Sequence, residues 1–157
     1  FTAVRGEATL MQNLWDPDAT ARAVSVAALE RADQARFCES VESGHSDQDE
    51  SARIAEDLGI RSEPFRIDSQ CKYAAVARND ASIYLRLPTR ADYREKIWDH
   101  AAGSLVVECA GGRVTDADGA PLDFTRGATL ANNRGIVATC GTIHDEVIAA
   151  VRRARSS

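Results

Sequence analysis

Apolar and polar positions change period several times along the chain, and each change marks an element. Ala52, Ile54, Ala55 and Leu58 recur at helical spacing, with Ser46 a suitable N-cap, Asp49 three residues on, and Gly59 a C-terminal stop. Pro64 to Ile67 predicts a short strand, and Ser69 to Arg78 a helix with Cys71, Ala74, Ala75 and Val76 facing inward. From Ser82 to Leu87 the pattern is that of a strand, with Tyr84 and Arg86 on one face and Leu85 and Leu87 on the other. Ile97 to Ala110 predicts the longest helix. Gly135 to Cys140 is apolar with little alternation, as in a strand covered on both faces. The last helix, Thr142 to about Arg153, carries Ile143, Val147, Ile148 and Val151 on one side, and Arg152, Arg153 and Arg155 suit its negative end. Weaker signals give a strand over Ala21 to Val26, a short helix over Asp33 to Glu39, a strand over Arg113 to Thr115, a turn over Asp116 to Gly119 and an extended piece over Pro121 to Phe124. Strands alternating with helices predict an α/β fold: a mixed, largely parallel sheet flanked by helices on both faces.

The first twenty residues read differently. Thr2 to Met11 gives two short strands around Gly6, and Asp16-Pro17-Asp18 marks a turn. An isolated hairpin is marginal in water. The expected division is therefore residual strands of an N-terminal α+β domain over 1–20 and an α/β domain over 21–157, this chain being the C-terminal part of a longer polypeptide.

Composition narrows the function classes. With 44% apolar and 27% charged residues the chain has the balance of a globular protein. A net charge of −5 argues against a general binder of nucleic-acid backbone. No apolar run approaches the ~20 residues of a membrane span. Cys38, Cys71, Cys109 and Cys140 are scattered without a CxxC pair, which gives neither a zinc-ribbon spacing nor a disulfide framework. Reduced thiols and a cytoplasmic location follow as the expectation, with organelle targeting ahead of Phe1 left open.

Several residues could carry chemistry. Asp99 stands in the first turn of the longest helix and is followed by small residues, which suits a cation ligand with room for an oxyanion beside it; the alternative is a carboxylate that favours a helix start. Ser69 and Lys72, three apart, share a face if the helix begins near Asp68, and offer a hydroxyl and an ammonium to a phosphate. The alternative is a capping serine and a solvated lysine. Arg86, near a strand end, suits bidentate phosphate contact, against a snorkelling edge arginine. His45, between Gly44 and Ser46, could read a heterocycle edge or simply occupy a surface loop. Asp116, Asp118 and Asp123 lack EF-hand spacing and fit a turn better. Trp98 is expected as a packing anchor, and Glu95 and Lys96 as neighbours that order the Asp99 region.

Trp98-Asp99-His100-Ala101-Ala102-Gly103 resembles the second signature of the lithium-sensitive, metal-dependent phosphomonoesterases of the inositol monophosphatase superfamily. Glu42 to Ser46, Asp68 to Tyr73 and Ile83 to Pro88 precede it in order and resemble the 3′(2′),5′-bisphosphate nucleotidases, which remove the 3′-phosphate of adenosine 3′,5′-bisphosphate. The likeness runs from about Ala23 to the last helix. It implies the C-terminal layer of an αβαβα fold, Asp99 as a magnesium ligand and substrate-binding residue, and His45, Ser69, Lys72 and Arg86 as substrate-binding residues. It also implies adenosine 3′,5′-bisphosphate as substrate, with 3′-phosphoadenylyl sulfate as a further one in sulfur assimilation.

The family's remaining magnesium ligands and water-activating groups lie on an earlier Glu and an Asp-x-x-Asp-Gly-Thr segment, and neither occurs in this chain. The resemblance therefore implies an enzyme whose N-terminal domain packs on this part, and little activity from these 157 residues alone. Rivals are an inositol (poly)phosphate phosphatase, which shares the Trp98-Asp99 signature, and a non-catalytic nucleotide-binding module.

Overall fold

The structure, a computed structural model, describes residues 1–41, 48–88, 90 and 92–156. Two strands, β1 (Leu10–Met11) and β2 (Arg22–Ala23), pair antiparallel as a separate ribbon. A bridge between Thr2 and Leu10 closes the turn at Gly6, and the ribbon leans on the long helix through Thr9 Oγ1, which donates to the Val106 carbonyl at 2.7 Å.

The main sheet has the order β4-β3-β5-β7-β6, formed by β3 (Phe37–Glu39), β4 (Phe65–Arg66), β5 (Ile83–Arg86), β6 (Arg113–Thr115) and β7 (Ile136–Thr139). It is mixed: β3 runs parallel to β4 and β5, and β7 runs antiparallel to β5 and β6. Alternation along the strands sorts the core into two halves. Phe37, Ile83, Leu85 and Val137 meet α1 (Gln48–Asp57) and α4 (His144–Ser156) on one face. Cys38, Tyr84, Ile136 and Ala138 meet α2 (Cys71–Ala77) and α3 (Ile97–Cys109) on the other. The expected α/β architecture, with helices on both faces, is present. All four β7 residues are buried, which accounts for their lack of alternation.

Three local expectations are corrected. Asp33 to Glu39 is not a helix: a single 3-10 turn over Ala32–Gln34 leads into β3, because Phe37 and Cys38 are drawn into the sheet between β4 and β5. In α1 the buried stripe contains Ser51 and Ile54, and Ala52 is exposed. α2 begins at Cys71 and not at Ser69, and the face it packs on the sheet and α3 runs through Lys72, Tyr73, Ala75 and Val76, so that Cys71 is exposed. Pro121 to Phe124 pairs with no strand and is held by Asn133, whose Oδ1 accepts from Asp123 N and whose Nδ2 donates to the Pro121 carbonyl and to Asp116 Oδ2. The Asp116 turn is as expected, with Oδ1 accepting the amides of Asp118 and Ala120.

His144, at the start of α4, is fully buried, with Nε2 2.9 Å from Thr115 Oγ1 and Nδ1 2.9 Å from Thr139 Oγ1. Burial pulls its pKa down to about 4, reinforced by the charge of Arg113. Unfolding returns it to about 6.5, so the unfolded state takes up the proton first and stability falls as pH drops between those values. His144→Gln is expected to flatten stability against pH by about one proton over pH 5 to 7, removing about 2 kcal/mol of the decline. Urea unfolding at several pH values measures this, and an unchanged slope would contradict it.

Candidate functional site

The α2–α3 face of the sheet opens into a cleft of about 550 Å³ beyond the end of β5. Its walls are Asp68, Ser69, Lys72 and Tyr73 from the approach to α2 and its first turns, Tyr84 and Arg86 from β5, Asp99 and His100 from α3, and Ser40 just after β3. A cleft of about 580 Å³ lies on the opposite face beside β4, lined by Glu39, Glu56, Arg61 and Arg66, of which Arg66 and Glu39 sit 3.6 Å apart. The first cleft is the one that gathers the residues singled out in the sequence.

Lys72 is 6% exposed, and its Nζ donates to the neutral Ser40 Oγ at 3.1 Å while lying 5.5 Å from the centre of the Tyr84 ring. Among the described residues no carboxylate pairs with it. Burial pulls its pKa below the ordinary lysine range, and the charge of Asp68 counters this only in part. An ammonium held this way has donors left for an anion.

Arg86 is placed by alternation, as its position in β5 predicts. Its Nε donates to Glu95 Oε2 at 2.9 Å. Burial alone would lower the guanidinium, but the Glu95 charge and the contacts with Tyr93 and Tyr84 more than offset this and hold it above its ordinary range. Behind it, His100 Nε2 lies 2.9 Å from the same Glu95 oxygen, and His100 Nδ1 lies 2.7 Å from Tyr73 Oη. Glu95, His100 and Tyr73 are all buried. Sequence reading singled out none of the three as site residues; the only local hint was Glu95 beside the Asp99 turn.

Ser69 does line the cleft, but not from a helix face: its φ is +61°, a left-handed conformation that a non-glycine residue adopts at some strain. Strain of this kind gathers at ligand sites. Asp68 is engaged, its Oδ1 accepting the Val41 amide. Asp99 is exposed in the first turn of α3, where its amide donates to the Lys96 carbonyl, and among the described residues its carboxylate takes no hydrogen bond or ion pair. Its partners in the signature behave otherwise than expected. Trp98 is 60% exposed and anchors no core. The space beside Gly103 is occupied by the Tyr73 ring, so it leaves no room for an oxyanion. The structure thus gathers Ser69, Lys72, Arg86 and Asp99 around one cleft, while His45 lies outside the described residues.

The fold is thus an α/β layer whose cleft is lined by two cations, Lys72 and Arg86, and by the carboxylates of Asp68 and Asp99. The sequence profile of the inositol monophosphatase family matches residues 1–156, and the chain belongs to that family. Over 154 residues it is 49% identical to a 3′(2′),5′-bisphosphate nucleotidase of Emericella nidulans, covering 98% of this chain and 44% of that protein. A protein of the same name from Schizosaccharomyces pombe is 46% identical over 150 residues, covering 96% and 42%. Another from Oryza sativa is 50% identical over 134 residues, covering 85% and 37%. The chain spans less than half the length of these relatives. Among solved structures it resembles the Thermotoga maritima IMPase at TM-score 0.64 and 20% identity, covering 90% of this chain and 51% of that one. An inositol monophosphatase from Anabaena gives 0.58 at 25% identity, covering 86% and 50%.

Enzymes of this family are generally metal-dependent. Among the described residues, no group of three or more His, Cys, Asp and Glu side chains is placed to hold an ion. Of the two described carboxylates that line the cleft, Asp68 accepts the Val41 amide and Asp99 is exposed. Nor is any described helix long and apolar enough to cross a membrane.

Proposed function

We propose that this chain supplies the substrate-side wall of a magnesium-dependent phosphomonoesterase that removes the 3′-phosphate of adenosine 3′,5′-bisphosphate, leaving AMP. The observation that carries this reading is Lys72, a buried ammonium that among the described residues has a serine hydroxyl and the Tyr84 ring but no carboxylate beside it, next to Arg86 in one cleft. Two cations of different geometry suit a ligand with two phosphates: the guanidinium fits planar oxygens, the ammonium a single point. The names of the curated relatives favour a bisphosphate nucleotide over an inositol phosphate. 3′-Phosphoadenylyl sulfate, with the same 3′-phosphate, is a second substrate on this reading.

Asp99 would hold magnesium together with substrate oxygens, as that ion is commonly bound by one or two carboxylates plus phosphate. When bound, magnesium neutralises phosphate charge and makes a bound water more acidic. The other ligands, the water-activating groups and the strands that would extend the β1–β2 ribbon come on this proposal from sequence outside the 157 residues. The four free cysteines fit a reducing, cytoplasmic setting. Cys38, pushed up to about 12 by burial, is an inert thiol there.

Calorimetric titration with adenosine 3′,5′-bisphosphate, with and without magnesium, tests the reading. Binding without turnover is expected, with a magnesium-dependent increment that Asp99→Asn removes and a magnesium-free affinity that it leaves in place. A folded chain that ignores the nucleotide, or that prefers inositol 1-phosphate, would sink the proposal.

A further inference from the structure

The polar chain behind the cleft has no part in the reading above. Tyr73, His100 and Arg86 come from α2, α3 and β5; Arg86 and His100 meet at Glu95, which lies on the loop between β5 and α3, and Tyr73 reaches it through His100. Its backbone is fixed from the other side: the Glu95 carbonyl accepts from Leu130 N at 2.9 Å, Lys96 bridges Thr129, and Ile97 N donates to the Ala128 carbonyl. One oxygen, Oε2, accepts from both Arg86 Nε and His100 Nε2. A carboxylate only accepts here, so His100 carries its proton on Nε2. Burial holds the Tyr73 phenol well above its usual range, so it stays protonated and donates to Nδ1. Every donor in the chain thus points toward Glu95.

We infer that Glu95, backed by His100 and Tyr73, is the positioning residue of the anion site: it fixes the plane of the Arg86 guanidinium through Nε and leaves for the ligand those Nη donors that Tyr84 and Tyr93 do not take. This inference rests on the nucleotide-binding reading for its functional meaning. Arg86 is one-third exposed, and a long side chain at a strand end would otherwise sample many rotamers. A buried ion pair contributes little net stability, but it can enforce one arrangement. The reach of the chain is wider than Arg86. Tyr73 is next to Lys72 and His100 is next to Asp99, so Glu95 links the elements that carry all three described charges of the proposed site.

The decisive experiment is a double-mutant cycle read by adenosine 3′,5′-bisphosphate affinity, together with nitrogen-proton spectra of the Arg86 Nε–H in the ligand-free chain. Glu95→Gln keeps the shape and loses the charge; a weakening of about tenfold is expected, and a smaller one in the same direction for Tyr73→Phe. Arg86→Lys keeps the charge and loses the Nε donor. In that background Glu95→Gln should weaken binding no further, because there is nothing left to orient. Undiminished affinity in Glu95→Gln, or losses that multiply in the double variant, would overturn the inference and leave Glu95 a local structural residue. If Glu95→Gln does not fold, Tyr73→Phe is judged by the same cycle. If the unaltered chain binds no nucleotide, the functional reading fails by itself. The Nε–H signal then decides: protection from exchange that Glu95→Gln abolishes supports the positioning role, and protection that persists refutes it.

Discussion

Lys72→Met is expected to weaken binding of adenosine 3′,5′-bisphosphate by about 100-fold, while the ligand-free chain becomes more stable by about 1 kcal/mol. The two signs have one cause. In the free protein the ammonium is 6% exposed with a single neutral acceptor, and burial already shifts it toward its uncharged form. Keeping it charged there costs free energy, and methionine of similar length removes that cost. Ser40 Oγ loses a donor, which takes back part of the gain. With ligand bound, the same ammonium meets a phosphate, and a hydrogen bond between charged groups contributes about 1.5 to 3 kcal/mol. Calorimetry and thermal unfolding on one preparation measure both. A stabilised variant with unaltered affinity would show that Lys72 is a packing residue, and a destabilised one that Ser40 and the Tyr84 ring are sufficient partners.

Lys72 also shows where the sequence stops being informative. Lysine is ordinarily a surface residue, and packing of α2 against the sheet and α3, which no local pattern encodes, turns Lys72 and Tyr73 inward and leaves Cys71 outward. Three residues of β3 are too few for any period, so Phe37 to Glu39 read as helix until the neighbouring strands pulled them into the sheet. By contrast β7 and β5 were legible. Four apolar residues without alternation mean cover on both faces, and the Tyr84–Arg86 alternation aims the arginine at the cleft because a strand has only two sides. The proposed site is split in the same way. Ser69, Lys72, Arg86 and Asp99 could be named from local motifs. The Glu95 chain could not, since its members are 5, 9 and 27 residues from their partners and meet only after three elements have packed.

Gly103→Ala should lower stability by about 3 kcal/mol or more, although alanine is the better helix former by about 1 kcal/mol. Gly103 lies in the middle of α3, facing α2. A Cβ there would sit 2.5 Å from Tyr73 Cγ and 2.8 Å from Cε2, and closer still to Cδ2. The ring cannot withdraw. It is 1% exposed, packs edge-on against Tyr84 with centroids 5.0 Å apart, and is tied by its hydroxyl to His100. The helices must separate instead, and with them Tyr73 and His100. Thermal unfolding should show a drop of roughly 6 to 12 °C for a chain of this size. If the Glu95 chain positions Arg86, the same variant must also lose Nε–H protection at Arg86, a residue that Gly103 does not approach. A folded variant with unchanged melting temperature would mean that α2 and α3 are less closely packed than the geometry has them. On the present geometry, the small residue at the end of the Trp98–Gly103 signature is there to admit an aromatic ring, and that ring reaches the proposed anion site through His100 and Glu95.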